Sequence, residues 1–375
     1  MTEPISKAEL IGSVSRRKAL ALVAGAAALG SGCANAQEPS NSRRDALRRR
    51  IMARRGIALP EMPTDLPTAR VDHNYAQAGS YAVETRLGVW TDPDRGGRDV
   101  PWKVYLPRGL DQAPAALFSH GGGGTRETAR PWGEHLASHG IASFHMQHLG
   151  SDRDAFRENR QEIARAVNEP DLGALRFGDV EHVIAQLNGG ALDGRIDVER
   201  MGVYGHSFGA ITALIAAGQR VSEIGRTYAQ PELKGAVALS PSPPRPGYGD
   251  LDTAFTDMAM PIFHMTGTED HAPNGDFLAP ARLGPYQRIT GVDQYLVNFY
   301  GANHFSFTGA ENPGLNGMQF GYPGLARHHD LMRAGILAFF KSVLEGSESA
   351  DRFLSARGEY AALLNPRDRF ERKFA

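Results

Sequence analysis

The 375-residue sequence contains a single cysteine, Cys33, which lies close to the N-terminus. One thiol cannot form an intramolecular disulfide, and it supplies no cysteine cluster for a metal such as zinc. The sequence also lacks a His-Glu-x-x-His motif. We therefore expect the fold to be stabilised by packing alone, and we predict no metal and no cofactor.

An excess of charge of one sign is also missing, because 41 lysine and arginine residues stand against 42 aspartate and glutamate residues. A nucleic-acid-binding chain usually concentrates basic residues on one face. We predict no nucleic-acid partner and expect a small-molecule substrate. Nothing in the sequence specifies an oligomeric state.

Long apolar runs are absent too, and the N-terminal run at 20–29 is too short to predict a membrane span. It follows Arg16 and Arg17 and precedes small residues that end at Ala36, which is the order of zones in a cleavable export signal. The paired arginines resemble the twin-arginine type. Residues 1–36 are thus predicted to be an export signal, and the mature protein to be periplasmic or secreted, without stable membrane insertion.

Two alternatives remain for this N-terminal segment. It can instead form a short core or interfacial helix. The stretch Leu-Gly-Ser-Gly-Cys at 29–33 can also be a lipoprotein acylation site, with a lipid anchor at Cys33.

The rest of the chain divides into a linker and one domain. Residues 37–75 are rich in arginine, proline and small polar residues, which predicts a linker. Residues 76–375 are predicted to form a single catalytic domain. Within it, 152–168 is a charged insertion that either folds over a pocket or forms a plain surface excursion.

The domain pattern predicts an α/β fold with a mostly parallel central sheet. Two alternating runs around a turn-rich segment at 92–99 predict an opening antiparallel hairpin. Apolar strands and amphipathic helices then alternate, so helices should cover both faces of the sheet. The predicted strands are 115–120, 141–146, 200–205, 234–240, 261–267 and 294–300, and the predicted helices are 127–139, 172–187, 207–217 and 327–344.

Three residues at predicted strand ends make a candidate catalytic set. Ser207 lies between Gly205 and Gly209, where a tight strand-to-helix turn needs small neighbours. Serine becomes nucleophilic when a histidine accepts its proton and a carboxylate orients that histidine. Asp270 and His304 follow in the order of the α/β-hydrolase fold. Singly, the three have ordinary alternatives as a helix N-cap, a turn residue and a loop hydrogen-bonding residue.

Four glycines at 121–124 follow another strand and allow the backbone to approach an incoming carbonyl closely. We predict that the N–H groups of Gly122 and Phe208 form an oxyanion hole, although a flexible surface loop is the alternative. His120 is predicted to position the loop rather than to act in catalysis. Four other histidines near strand ends are predicted to be structural, with lining of the pocket as the alternative, namely His145, His148, His264 and His271.

The stretches LFSHGGGGTRE, GHSFGA and LRFGDVEHVIAQL resemble the dienelactone-hydrolase-like and platelet-activating-factor-acetylhydrolase-like branch of the α/β hydrolases, over residues 80–345. The resemblance also implies oxyanion roles for Gly122 and Phe208. It departs at two points. Dienelactone hydrolases carry a cysteine where this chain has Ser207, so their substrate is not carried over. The acetylhydrolase has its acid where this chain has Ser240, so the acid comes from elsewhere. We assign it to Asp270 rather than to the adjacent Glu269.

The sequence thus predicts an exported serine esterase that hydrolyses carboxylic esters through an acyl-enzyme on Ser207. A polyester or cutinase-type hydrolase, a lipase or phospholipid-type acylhydrolase, and a serine peptidase are alternatives that share this machinery. A non-catalytic binding protein on the same fold is the alternative from another class.

Overall fold

The structure is a computed structural model, and it describes residues 50, 63–158, 169–222, 224–245, 247–311, 314–315 and 318–375. The predicted export signal, the acylation site at Cys33, most of the predicted linker and the second half of the 152–168 insertion lie outside the described residues. The described residues from 50 onward form one compact unit.

A nine-stranded sheet forms the centre of this unit, in the order β1-β2-β4-β3-β5-β6-β7-β8-β11. Its six inner strands, from β4 to β8, run parallel, whereas β1, β2 and β11 make antiparallel pairs at the two sides. The strands are β1 Val83–Asp92, β2 Arg98–Pro107, β3 Ala113–Ser119, β4 Ala142–Met146, β5 Ile196–His206, β6 Leu233–Leu239, β7 Ile262–Glu269, β8 Gln294–Asn303 and β11 Arg369–Lys373. A separate short ladder joins β9 Gly314–Leu315 to β10 Met318–Gln319.

Helices pack on both faces of the sheet. Neighbouring residues of a strand point to opposite faces, so Val203 packs in one core and Tyr204 in the other. The first core includes side chains of the helices Pro170–Asn188 and Phe208–Ala216, and the second includes side chains of the helices Arg130–Ser138 and Leu325–Glu345. The helices are α1 Arg130–Ser138, α2 Arg153–Glu158, α3 Pro170–Asn188, α4 Phe208–Ala216, α5 Gly284–Arg288, α6 Leu325–Glu345, α7 Glu348–Phe353 and α8 Glu359–Leu363.

This architecture is the α/β-hydrolase fold, and it confirms the predicted fold class. The opening hairpin pairs β1 with β2, and the six predicted inner strands are present with ends that differ by at most four residues. The sequence reading missed α7, α8 and β11 at the C-terminus.

The sheet register aligns the strand ends at one edge. His206, Leu239 and Met265 lie side by side on β5, β6 and β7. The residues that follow them form the next row, which begins with Ser207 and continues with Ser240. Ligands of open α/β sheets bind beyond the carboxyl ends of the strands. This edge is therefore where a site is expected.

The described end of the predicted linker lies against α6. Leu66 and Val71 are buried. Arg70 makes two hydrogen bonds of 2.6 Å with the carboxylate of Asp330, and the backbone N–H of Val71 donates to the same carboxylate at 3.0 Å.

Candidate active site

Ser207 occupies a sharp turn between β5 and α4. Its φ of 58° and ψ of −115° are rare for a residue with a side chain and hold the serine at the edge of the sheet. The turn closes tightly, since a Cβ on Gly209 would lie 1.8 Å from the carbonyl oxygen of Ser119, and one on Gly205 would lie 2.2 Å from that of Gly209. The Ser207 N–H donates to the Leu239 carbonyl at 2.9 Å, which anchors the turn to β6.

The structure brings Ser207 together with the two other predicted catalytic residues. The Ser207 Oγ lies 3.0 Å from His304 Nε2. On the far side of the ring, His304 Nδ1 lies 2.9 Å from Asp270 Oδ1. Asp270 follows β7 and is fully buried, and His304 follows β8 and is 6% exposed. The three side chains form one hydrogen-bonded chain that ends at the serine hydroxyl.

Asp270 is held as a carboxylate by several donors. Ser240 Oγ donates to its Oδ1 at 2.8 Å, and Thr266 Oγ1 donates to its Oδ2 at 2.9 Å. Arg282 Nε lies 3.1 Å from Oδ1. Burial acts to raise the pKa of Asp270, but the Arg282 charge and the hydrogen bonds from His304 and Ser240 offset it, so that the pKa lies below its ordinary value.

His304 is kept neutral by its surroundings. Burial and the nearby Arg282 guanidinium lower the pKa of His304, whereas Asp270 opposes this effect. The ring of His206 lies 4.8 Å from the His304 ring, and its Nε2 is 2.9 Å from the His304 carbonyl oxygen. Burial lowers the pKa of His206 to about 3, so this second ring adds no positive charge near neutral pH.

The glycine loop after β3 has a defined backbone. His148 N–H donates to His120 Nε2 at 3.0 Å, so the proton of the neutral ring is on Nδ1, which lies 2.7 Å from the Gly121 carbonyl oxygen. Gly124 N–H donates to the same carbonyl at 3.0 Å. The N–H groups of Gly122 and Phe208 have no acceptor among the described residues.

Arg176 is a buried residue that contacts the start of the glycine loop after β3. Its side chain is 1% exposed and donates to the carbonyl of His120 and, at 3.0 Å, to Ser119 Oγ. The guanidinium carbon also lies 4.2 Å from the centre of the Phe208 ring. One buried cation therefore contacts both the start of the glycine loop and the residue after the serine.

A cavity of about 570 Å³ opens over this edge of the sheet. Ser207, His304, Gly122 and Phe208 all line it. Much of the remaining wall is apolar, with Phe156, Ile211, Pro273, Phe277 and Phe305. Such a mixed cavity suits a small organic ligand with an apolar part and a few polar groups.

The other predicted histidines do not line this cavity. His145, His148 and His264 are fully buried, and His271 is 7% exposed with its Nδ1 accepting from the backbone N–H of Ala279 at 3.0 Å. Glu269 also points elsewhere, since its Oε2 lies 3.6 Å from His271 Nε2.

Sequence reasoning missed four supporting residues of the site, namely Thr266, Arg282, His206 and Arg176. None of these residues forms a recognisable sequence motif with the residues that it contacts. The separations in sequence vary widely, from 4 positions between Thr266 and Asp270 to 98 positions between His206 and His304. An arginine inside the otherwise apolar stretch Leu-Ala-Pro-Ala-Arg-Leu at 278–283 was the one signal that could have indicated a buried cation.

The described residues contain no group of three or more histidine, cysteine, aspartate or glutamate side chains placed to hold a metal ion. In the same part of the chain, no helix has the length and apolar character needed to cross a membrane.

The fold and the arrangement of Ser207, His304 and Asp270 are those of the α/β-hydrolase superfamily. The chain is similar to two curated proteins of Thermobifida alba. It is 27% identical to "Cutinase est2" over 236 residues, which are 62% of this chain and 65% of that protein. It is 24% identical to "Cutinase est1" over 237 residues, 62% of this chain and 66% of that protein. The match thus spans slightly less than two thirds of the length of each relative. These similarities support the superfamily and do not test the dienelactone-hydrolase-like or acetylhydrolase-like branch. No protein-family model matches the sequence.

Proposed function

We propose that this chain is a serine esterase that hydrolyses carboxylic esters through an acyl-enzyme on Ser207. The observation that carries the proposal is the hydrogen-bonded chain from Ser207 Oγ through His304 to Asp270, which opens into the cavity. The similarity to two cutinases supports ester hydrolysis independently.

The first half of the reaction forms the acyl-enzyme. The proton of the Ser207 hydroxyl passes to His304 Nε2 while Oγ attacks the ester carbonyl carbon. Asp270 accepts from Nδ1–H, which fixes the productive tautomer and stabilises the imidazolium. When the tetrahedral intermediate collapses, His304 gives its proton to the leaving alcohol oxygen, and the acyl group stays on Ser207.

Water completes the cycle by the same proton transfers. His304 accepts a proton from the attacking water, and Ser207 Oγ leaves the second tetrahedral intermediate with that proton. In both halves, the negative charge on the former carbonyl oxygen is stabilised by the N–H groups of Gly122 and Phe208. Their lack of an acceptor among the described residues supports this role.

We propose an apolar acyl or aromatic ester as the substrate class. The aromatic wall of the cavity supports this choice, and the cutinase relatives favour a polyester or cutinase-type activity over hydrolysis of phospholipids or peptides. A phospholipid-type acylhydrolase and a serine peptidase use the same residues, so measured substrate preference must separate them.

The test compares the wild-type protein with Ser207→Ala on p-nitrophenyl esters of increasing chain length, an amide and a polyester film. We expect turnover of esters by the wild type only, and covalent labelling by a serine-directed phosphonate only in the wild type. Ser222→Ala is the matched control, because Ser222 is exposed and outside the cavity lining. Most of the activity surviving in Ser207→Ala would exclude the proposal, and binding without turnover in the wild type would favour a non-catalytic binding protein.

We further propose that the protein is exported. The supporting observation is the order of paired arginines, apolar run and small residues within 1–36. N-terminal sequencing of the mature protein should start at Gln37, and replacement of Arg16 and Arg17 by lysine should leave precursor in the cytoplasm. An acylated Cys33 at the mature N-terminus would replace cleavage after Ala36 by a lipid anchor.

A further inference from the structure

Arg282 is a buried cation that connects three strand ends of the site. It lies on the short 3-10 helix Ala279–Leu283, and its side chain is 2% exposed. Its Nε donates to the Asp270 carbonyl at 3.0 Å, and its Nη1 donates to the Ser240 carbonyl at 3.1 Å and to Ser242 Oγ at 2.8 Å. The loops after β6 and β7 are therefore held at fixed positions relative to the guanidinium.

The same guanidinium reaches the side chains of the proposed catalytic pair. Its Nε is 3.1 Å from Asp270 Oδ1, and its Nη2 is 2.9 Å from His304 Nδ1. One Asp270 oxygen is thus shared between the arginine and the histidine. The planar guanidinium presents its donors in fixed directions to the oxygen atoms of Asp270, Ser240 and Ser242. Its charge also lies beside His304 Nδ1, whose own proton is donated to Asp270.

The charged and titratable groups around the His304 ring come from three elements. Asp270 follows β7, Arg282 lies on the 3-10 helix, and His206 ends β5 with a ring that is neutral near pH 7. Arg245 is the next cation along the cavity wall, and it pairs with Asp276 at 3.0 Å. Among these groups, Arg282 is the cation in contact with Nδ1.

A cation at this distance disfavours the protonated ring by direct repulsion. The Arg282 charge also partly neutralises the negative charge of Asp270, which would otherwise stabilise the imidazolium of His304. Both effects act in the same direction. They keep His304 neutral, and so able to accept the serine proton, at a pH at which a histidine facing aspartate alone would already be protonated.

We propose that Arg282 is a positioning residue that fixes the Asp270–His304 pair and extends ester hydrolysis to more acidic pH. The inference rests on the proposed esterase function. The guanidinium also lines the cavity and stacks on Phe277, with 4.7 Å between its central carbon and the ring centre. Its position is therefore fixed by this ring as well as by its hydrogen bonds to the loops after β6 and β7.

The test measures kcat and kcat/KM between pH 4.5 and 9 for the wild type, Arg282→Gln and Arg282→Lys. Arg282→Gln removes the charge, and we expect the acid limb of kcat/KM to move to higher pH by about one unit or more. Arg282→Lys keeps the charge but loses the fork of donors, and we expect an acid limb near that of the wild type with kcat lowered about tenfold or more. Arg288→Gln is the control, because Arg288 is exposed, pairs with Asp252 and does not line the cavity.

An acid limb that stays in place in a folded Arg282→Gln protein would overturn the inference. Circular dichroism and thermal unfolding establish that the variants are folded. If Arg282→Gln does not fold, Arg282→Lys decides, because a normal kcat in that variant would exclude positioning. Failure of the proposed function looks different, since ester turnover would then persist in Ser207→Ala or be absent from the wild type.

Discussion

Ser240 donates a hydrogen bond to Asp270, with 2.8 Å between Ser240 Oγ and Asp270 Oδ1. The same hydroxyl lies 2.8 Å from His304 Nδ1. Ser240 follows β6, at the position where the acetylhydrolase-like sequence pattern has its acid. In this chain a carboxylate from the next strand, β7, reaches the histidine, and the serine hydroxyl occupies the space beside it.

Removal of the Ser240 hydroxyl should lower kcat about tenfold, because Asp270 loses one of the donors that orient it and keep it charged. The backbone of Ser240 has a φ of 57°, which glycine adopts more easily than alanine. Ser240→Ala and Ser240→Gly should therefore lose similar activity while the alanine protein has the lower Tm. Steady-state kinetics and thermal unfolding of both variants check this. Full activity in Ser240→Gly would show that the hydroxyl is dispensable.

Asp270→Asn should lower kcat by about 10³ to 10⁴, because the amide favours the wrong histidine tautomer and removes the charge that stabilises the imidazolium. Glu269→Gln is the matched comparison and should have a small effect, since Glu269 faces His271. The measurement is kcat on one activated ester for both proteins. The reverse order of the two effects would reassign the acid to Glu269. Full activity in both variants would show that His304 needs no carboxylate, because Asp250 and Asp252 are exposed and do not line the cavity.

Gly209→Ala should destabilise the protein and abolish esterase activity, because the new Cβ would meet the Ser119 carbonyl oxygen at 1.8 Å. The turn at Ser207 cannot open without moving the serine. Gly284→Ala is the control, since its nearest contacts would be ordinary ones at 3.7 Å and its φ is −51°. Thermal unfolding and activity of both variants give the comparison, and a fully active Gly209→Ala protein would contradict the described turn.

Buried histidines should make the fold sensitive to mild acid. An unfolded histidine has a pKa of about 6.5, so as the pH falls below that value the unfolded chain takes up protons before the folded chain does. The stability that these residues contribute is complete above about pH 6.5, and it is lost as the pH falls through the range down to their folded pKa values of about 3 to about 4. Burial lowers the pKa to about 3 in His135, His145, His206, His264 and His328, and to about 4 in His148 and His329.

We therefore expect Tm to fall by roughly 5 °C or more between pH 7.5 and pH 5 at constant ionic strength. Differential scanning calorimetry over this range measures it. An unchanged Tm would mean that these histidines take up protons equally in the folded and unfolded chains.

Hydrophobic pattern was enough to predict the central architecture. Runs such as 234–240 and 261–267 are apolar because inner parallel strands are buried on both faces, and that burial is visible in a single sequence. The C-terminal strand was not visible. Its residues, Arg-Phe-Glu-Arg-Lys, are mostly charged, and only pairing with β8 makes them a strand.

The residues of the candidate site also divide into those that the sequence predicts and those that it does not. Ser207, Asp270 and His304 were identifiable because each follows a strand in a known order, and the structure places them in contact. Arg282 and Arg176 were not identifiable, because a buried guanidinium is defined by the carbonyl, carboxylate and hydroxyl oxygens that fold around it. The spacing of residues along the sequence does not predict such contacts.

The strand β11 has a consequence for association between molecules. An outermost strand offers unpaired backbone groups on which another chain can add a strand, and a flat apolar edge invites aggregation. Here the outermost strand beside β8 carries Arg369, Glu371, Arg372 and Lys373 within five residues. A second chain that paired there would have to desolvate those charges. These charges thereby act against intermolecular strand addition at the sheet edge next to β8, the strand that leads to His304.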